Sequence, residues 1–192
     1  MADEARQAAA FVRYKIKQLA ERENESAVRA TLANLRRGVG RSPGSAPETW
    51  TVTLGGLPKV LLGETSEPTR GEWAVYTALT LYALHQQGKD LNIRCMSAAG
   101  QSLGTAVRRL VEDPDDEKRV NRRLAALATS DSVDELSHHL RGLVQLLKAK
   151  DFPLDYPSLT EDLYWYQFPD ARNAVRLRWG RDFYRVTESN DM

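Results

Sequence analysis

The side chains of this sequence that could do chemistry are mainly arginines and lysines. The candidate residues are Arg36, Arg37, Arg108, Arg109, Arg122, Arg123, Arg141 and Lys148. Six of them form three adjacent pairs, and the last two are seven positions apart, which places them on one side of a helix. A guanidinium keeps its charge and presents several N–H donors in one plane, so it suits anionic groups such as phosphate and carboxylate. The pattern therefore predicts a binding surface for an anion.

Patterns that support catalysis or metal binding are missing from the sequence. It contains no Gly-rich phosphate loop, no Gly-x-Ser-x-Gly elbow, no paired carboxylates and no set of metal ligands. Cys95 is the only cysteine, so it can form neither an internal disulfide nor a Cys-based zinc site. His138 and His139 are adjacent and therefore face different ways on a helix. We expect no catalytic residue, no metal site and no cofactor.

Composition sets broad limits on the fold and on the partners. The chain has 192 residues, of which 28% are charged and 42% hydrophobic, with a net charge of +1. This is typical of a globular protein, and we expect one domain over 1–192, with lobes 1–100 and 101–192 as the alternative. The near-zero net charge removes the global argument for nucleic-acid binding. The N-terminus lacks a secretory signal, so we expect a cytoplasmic protein.

One uncharged segment is predicted to lie at the centre of the fold that positions these cations. The sequence WAVYTALTLYAL at 73–84 has apolar residues all round a helical wheel, so the helix that it forms must be buried. It is shorter than the roughly 20 residues that a membrane-spanning helix needs, and Gly88 follows as a helix-ending residue. We predict an all-α bundle of about eight to nine helices around a central helix at 70–87.

The cations are predicted to lie on the outer faces of the other helices. Arg36 and Arg37 end the second helix, where cations are favourable in any case, so capping explains them as well as a binding role does. Ser102 is the predicted N-cap of the helix that carries Arg108 and Arg109. A seam of leucines puts Arg141 and Lys148 on the far side of another helix, which starts with a predicted capping box at Ser132. The seam leucines are Leu136, Leu140, Leu143 and Leu147.

A further helix is predicted from the N-cap Asp113 and from Pro114 at the first helical position. It turns four cations outward within two turns, namely Lys118, Arg119, Arg122 and Arg123. These charges repel one another, and beyond the first turn no acid four positions away relieves Arg122 or Arg123. We expect an anionic partner on this face.

Two other segments give weaker predictions. Residues 50–62 begin with strand-like alternation, but Gly55, Gly56 and Pro58 interrupt it, so a short helix or irregular segment is favoured. The last helix is predicted at about 170–185, and Val186 is expected to be buried with it. A polar tail is expected at 187–192.

Six motifs, taken in order, resemble the CasB family, the small subunits of the type I-E CRISPR effector complex called Cascade. The motifs are WAVYTALTLYALHQQ at 73–87, SLGTAVRRL at 102–110, RRLAAL at 122–127, LRGLVQLL at 140–147, PLDY at 153–156 with LYW at 163–165, and RWGRDFY at 178–184. Each motif is short, and their order carries the resemblance. It covers most of the chain from Leu35 onward.

The resemblance implies a helical subunit without enzymatic activity that works as a pair of copies lying head to tail in the complex. Its implied partners are the crRNA, the target and non-target DNA strands, and the backbone and large subunits, and its basic faces would hold the R-loop open. By position, the family's basic residues correspond to Arg36, Arg37, Arg122, Arg123 and Arg141.

One position departs from the family pattern. The residue after Gly104 is often basic in the family and is Thr105 here. Arg108 and Arg109, one turn on, would take over the contact, or the contact is missing. Two other functions stay open at this point. The chain could be a structural spacer whose arginines pair with acidic neighbours, or a small helical enzyme, which would need perturbed acids in a pocket.

Overall fold

Helices account for all the regular elements that the computed structural model describes, over residues 1–185. They are α1 (Ala2–Ala20), α2 (Glu25–Arg37), α3 (Trp50–Thr53), α4 (Arg70–Gln86), α5 (Leu103–Arg108), α6 (Pro114–Ala128), α7 (Val133–Ala149), α8 (Tyr156–Tyr166) and α9 (Pro169–Tyr184), with 3-10 turns at Pro43–Ser45, Pro47–Thr49 and Lys59–Leu61. The predicted all-α class is confirmed. The expectations for Val186 and for the tail at 187–192 fall outside the described residues.

The central helix α4 is buried on all sides, as its uncharged sequence predicts. Every residue from Trp73 to Ala83 is buried, and the helix packs against α1, α2, α7 and α8. A capping box starts it: Thr69 Oγ1 accepts the N–H of Glu72, and the Glu72 carboxylate accepts the N–H of Thr69. The chain leaves the helix through Gly88, whose φ of +81° suits glycine.

Side-chain caps begin the helices that carry the candidate cations. Asn24, Ser102, Asp113 and Ser132 each accept the N–H of the residue three positions on. Only half of the capping box predicted at Ser132 forms. The Ser132 hydroxyl accepts the N–H of Glu135, but the Glu135 carboxylate accepts the N–H of Asp131 and not that of Ser132, so this part of the prediction is wrong. The carboxylate therefore satisfies a backbone donor one residue before the cap.

The ambiguous segment at 50–62 contains the short helix α3 and a 3-10 turn, as favoured from its Gly and Pro residues. No strand occurs in the described part of the chain. The extended pairing found there is one isolated bridge between Ser97 and Leu154. None of the helices at 1–185 is long and apolar enough to cross a membrane. The expected division into one domain or two lobes stays a prediction.

Helix α5 lies unusually close to α9. A Cβ at Gly104 would be 2.3 Å from the carbonyl oxygen of Trp179, so only glycine allows this approach. Ser102 Oγ donates to the Asp182 carboxylate at 2.7 Å across the same contact. The SLG segment at 102–104 and the RWGRDFY segment at 178–184 therefore have a shared structural role.

Helix α8 carries Asp162, the buried acidic residue of the described part of the chain. Asp162 is 3% exposed and accepts a hydrogen bond from Trp179 Nε1 at 2.6 Å, and it forms an ion pair with Arg178. Burial raises the pKa of the Asp162 carboxyl to about 6, against the opposing effect of the Arg178 charge. The pair connects α8 to α9.

Candidate functional site

The C-terminal end of α2 is fixed by a close contact with the central helix. Tyr76 Oη donates to the carbonyl oxygen of Gly38 at 2.9 Å, and a Cβ at Gly38 would be only 2.6 Å from Tyr76 Oη. The glycine therefore lets α2 end directly against α4. This contact sets the positions of Arg36, which is half-buried, and of Arg37, which is exposed and donates to Asn34 Oδ1 at 3.4 Å.

Lys148 at the end of α7 lies near Arg36, although the two are far apart in sequence. Lys148 Nζ donates to Gln87 Oε1 at 2.8 Å, and Lys89 Nζ donates to the Lys148 carbonyl oxygen at 3.2 Å. Burial, then the charge of Lys89, then that of Arg36 lower the pKa of Lys148. Three cations from two helices and a loop thus meet beside the C-terminal end of α4.

Asp151 is a carboxylate of this region, and it already has partners. It pairs with Lys89 and with Arg94, and the hydrogen bond from Lys89 is the main cause that lowers its pKa. Neither Arg36 nor Lys148 has a carboxylate within 4.0 Å among the described residues. These two charges are available to a ligand.

The cations of α6 and α7 also come together. The Arg123 guanidinium lies over Gly142, where an added Cβ would be 3.8 Å from its Nη1 atom. Gly142 is adjacent to Arg141, and Lys148 follows on the Arg141 side of α7, roughly 10 Å further along the axis. Arg122, Arg123 and Arg141 are exposed. We call Arg36, Arg122, Arg123, Arg141 and Lys148 the basic strip.

Arg108 and Arg109 have intramolecular partners. Arg108 Nη1 is 3.2 Å from Glu117 Oε1, and its guanidinium lies 5.5 Å from the centre of the Phe183 ring. The Arg109 guanidinium lies 4.1 Å from the centre of the Phe152 ring. The Thr105 and Ser102 hydroxyl groups form a hydrogen bond, with their oxygens 3.0 Å apart. These contacts fasten α5 to its neighbours.

Two cations near the strip, Lys89 and Arg94, were not predicted as site residues. They lie in the loop that follows α4, and Asp151 holds both of them. The available signal in the sequence is the position of Lys89 directly after the helix-ending Gly88, since that places a charge at the end of the buried helix. Their contact with α7 is a tertiary contact, which no local pattern indicates.

Two cavities bear on a possible binding or catalytic role. The larger, of about 590 Å³, lies between Glu4, Arg70, Asp131 and Arg172, and the smaller, of about 440 Å³, lies beside Arg36. A hydrogen bond from Tyr164 lowers the pKa of Glu4, so Glu4 is not a proton donor at neutral pH. Asp162 lines neither cavity.

Metal ligands are not grouped in the described part of the chain. No three His, Cys, Asp or Glu residues at 1–185 lie close enough to hold a metal ion. What the basic strip offers is a row of charged donors with reach and no fixed base-reading geometry. Such a row suits a chain of phosphates.

Comparison with known proteins gives one family and two similar structures. The profile of CRISPR-associated protein Cse2 matches residues 31–184. A crystal structure of CasB from Thermobifida fusca is 31% identical, with a TM-score of 0.77 over 92% of this chain and 97% of that one. A crystal structure of M. ruber CasB is 27% identical, with a TM-score of 0.63 over 93% of each chain. No curated protein sequence matches the chain.

Proposed function

The chain belongs to the CRISPR-associated Cse2 family, that is, the CasB subunits of Cascade, and from this premise we propose that its basic strip holds single-stranded nucleic acid in a type I-E complex. The strand is the displaced non-target strand of the R-loop, and holding it stabilises the crRNA–target duplex that displaces it. Its further partners are the backbone and large subunits and a second copy of itself.

The observation that carries this proposal is the lack of acidic partners for the candidate cations. Of the eight, only Arg108 has a carboxylate within 4.0 Å among the described residues. Acids elsewhere on the surface do pair with cations, for example Glu112 with Lys150 and Asp116 with Arg119. Cations left without partners on neighbouring helices repel one another, so a bound polyanion would stabilise this surface.

R-loop formation is close to energetically balanced, so contacts of this kind are sufficient to stabilise the open state. The RNA–DNA duplex that forms is about as stable as the DNA duplex that it replaces, so modest contacts to the displaced backbone shift the balance. Contacts to phosphate carry no base information and weaken as salt rises, because binding releases counterions. We therefore expect sequence-independent, salt-sensitive stabilisation of the open state.

We propose no catalytic role. Asp162, the acid with a raised pKa, is engaged by Trp179 and Arg178 and lies away from the two cavities. We expect a pure preparation to bind nucleic acid weakly and to cleave none with any divalent cation. Cleavage that requires a metal would overturn this part of the proposal.

The decisive experiment replaces Arg122, Arg123, Arg141 and Lys148 together by alanine in the assembled complex. R-loop lifetime, nuclease protection of the displaced strand and the affinity of the complex for target DNA are measured at two salt concentrations. We expect the lifetime and the protection to fall, and the slope of log affinity against log salt to decrease in magnitude by about 0.7 to 0.9 for each lost phosphate contact. Guide-RNA loading should stay near normal.

A matched control removes four charges elsewhere. Arg6, Arg13, Lys59 and Arg181 are exposed, lie on other faces and have no carboxylate within 4.0 Å among the described residues. Their alanine replacement should leave R-loop lifetime close to that of the wild type. If both variants are incorporated and behave like wild type, the chain is a structural spacer and the proposal fails.

A further inference from the structure

A cleft opens at the end of the basic strip, and no candidate function accounts for it. It has a volume of about 440 Å³ and lies between the α1–α2 turn, the inner face of α2 and the loop after α4. This is within the range of about 300 to 1,000 Å³ that small-ligand sites occupy. Arg36 belongs both to this cleft and to the basic strip.

The chemistry of the cleft is divided between an apolar floor and a cationic rim. Leu19, Val28 and Leu32 form the floor, and each is less than 8% exposed. Three residues with amide side chains, Gln86, Gln87 and Asn92, lie among the lining residues, and the Gln86 amide is already bonded to backbone groups. The floor offers packing for a flat or aliphatic group, and the amides offer donors and acceptors for its polar edge.

Cations outnumber carboxylates at the rim by four to two. The cations are Arg22, Arg29, Arg36 and Lys89, and the carboxylates are Glu25 and Asp90. Both acids have contacts within the protein: Glu25 lies 3.5 Å from Arg29, and Asp90 accepts the N–H of Asn92 at 2.8 Å. Arg29 is thus paired with Glu25, and Lys89 with Asp151. The positive charge left at the rim is that of Arg22 and Arg36, which have no carboxylate within 4.0 Å among the described residues.

We infer that this cleft receives one unstacked nucleobase of the strand held by the basic strip, with the adjoining phosphate on Arg36. A simple anion would make no use of the apolar floor, and an apolar ligand would make no use of the charged rim. A nucleotide has both a flat base and a phosphate, and unstacked bases are commonly packed between apolar side chains or guanidinium planes. The inference rests on the proposed function.

The cleft would add a base contact to a surface that otherwise contacts phosphates alone. Stacking of a base on an aromatic side chain is worth about 1 to 3 kcal/mol, and this cleft has aliphatic walls, so we expect the lower end, about fivefold in affinity. The contact is tolerant of sequence, because every base has a flat apolar face. It would also fix the register of the strand on the strip.

The test compares two oligonucleotides with the same number of phosphates. The isolated full chain is titrated with a short labelled oligothymidylate and with the same sugar–phosphate chain lacking all bases. We expect the intact oligonucleotide to bind about fivefold more tightly, with equal salt slopes for the two. Equal affinities would overturn the base cleft and leave the phosphate strip standing. Absence of binding by either would overturn both proposals.

Two alanine-to-leucine variants test whether the contribution of the bases to affinity arises in the cleft. Ala20 lines the cleft at the end of α1, whereas Ala30 is exposed on α2 and does not line it. Ala20→Leu should lower the affinity for the intact oligonucleotide to that for the abasic one and leave the abasic affinity unchanged. Ala30→Leu should change neither. A loss of abasic binding in Ala20→Leu would contradict the inference.

A reporter base tests the wild-type protein without any substitution. A 2-aminopurine within the oligothymidylate should be quenched less by acrylamide when the protein binds, because a base that enters the cleft is shielded from the solvent. The cleft admits one base at a time. Unchanged quenching at saturating protein would overturn the inference even if every variant folds poorly.

Discussion

The central helix α4 and the basic strip differ in charge and in exposure to solvent. Residues 73–84 carry no formal charge, and 73–83 are all buried. Arg122, Arg123 and Arg141, by contrast, are exposed cations on the outer faces of α6 and α7. Under the proposed function, folding and binding are assigned to separate side chains. Changes in α4 should therefore alter stability, and changes in the strip should alter binding.

The separation follows from the free-energy cost of placing a charge in each environment. A buried charge without a partner is unfavourable by several kcal/mol, so the core excludes such charges. An exposed cation costs little for folding and keeps its field for a ligand. The two regions meet at the C-terminal end of α4, where Gln87 accepts a hydrogen bond from Lys148.

The largest expected effect is a cavity in the central helix. Leu79 is fully buried, so Leu79→Ala should lower the free energy of unfolding by about 2 to 5 kcal/mol. Trp73→Ala should fall in the same range. Urea denaturation measures both. The control, Leu62→Ala, changes a leucine that is 42% exposed and should have a much smaller effect. An unchanged stability for Leu79→Ala would refute the burial of α4.

The next effect concerns a titratable group at the junction of the two regions. His85 is fully buried, its Nδ1 atom lies 3.1 Å from Tyr156 Oη, and burial, with the Lys89 charge, lowers its pKa to about 4. Below pH 6.5 the unfolded chain takes up a proton and the folded chain does not. Between pH 6.5 and 4 this histidine should therefore remove about 3 kcal/mol of stability.

The His85→Gln variant isolates that contribution. Glutamine does not titrate, so the unfolding free energy of the variant should fall less than that of the wild type as the pH drops. The raised pKa of Asp162 acts in the opposite direction, since its ionised form is disfavoured in the folded protein above pH 4. It is present in both proteins and cancels in the comparison. Parallel pH profiles would contradict the assignment to His85.

A smaller effect distinguishes a packed glycine from an open one. Gly104→Ala puts a Cβ against the Trp179 carbonyl, and it should lower stability by about 1 to 3 kcal/mol. Gly142→Ala, in the middle of α7, meets only the Arg123 side chain at 3.8 Å and should raise stability by about 0.5 to 1 kcal/mol. Thermal unfolding measures both. The same sign for the two would contradict the close α5–α9 contact.

The smallest expected change in stability comes from the basic strip itself. Alanine at Arg122, Arg123, Arg141 and Lys148 should change the free energy of unfolding by less than about 0.5 kcal/mol per site, because surface substitutions away from the core have small effects. Urea denaturation of the isolated subunit measures this. A loss as large as that of Leu79→Ala would show that these cations hold the fold together, which would end the separation of the two regions.

Local patterns were enough to predict the helical class and the start of most helices. An apolar run without charge predicts burial of α4, and short side chains such as Ser102 and Asp113 predict N-caps, because capping joins residues three positions apart. The capping box of α4 at Thr69 and Glu72 was not foreseen, although its spacing is present. The choice of Asp131 as the partner of Glu135 depends on how the chain enters α7.

The assembly of the candidate site could be predicted only in part. The spacing of Arg141 and Lys148 along one helix is a sequence property. The proximity of Arg36 to Lys148, and of Arg123 to Gly142, is not, because each contact joins different helices. The binding roles of all eight cations stay a prediction, including those of Arg108 and Arg109, which have intramolecular partners.

The sequence by itself determined that this chain folds into helices around an uncharged centre, that its cations lie on outer faces, and which family it belongs to. These properties follow from periodicity, capping and ordered motifs, which act over a few residues at a time. Only the tertiary structure decided that Arg36, Lys89 and Lys148 meet, that Asp151 pairs with Lys89 and Arg94, and that an apolar cleft opens beside Arg36. Such contacts depend on how α2, α4 and α7 pack, and packing is settled by the shapes of buried side chains from distant parts of the chain.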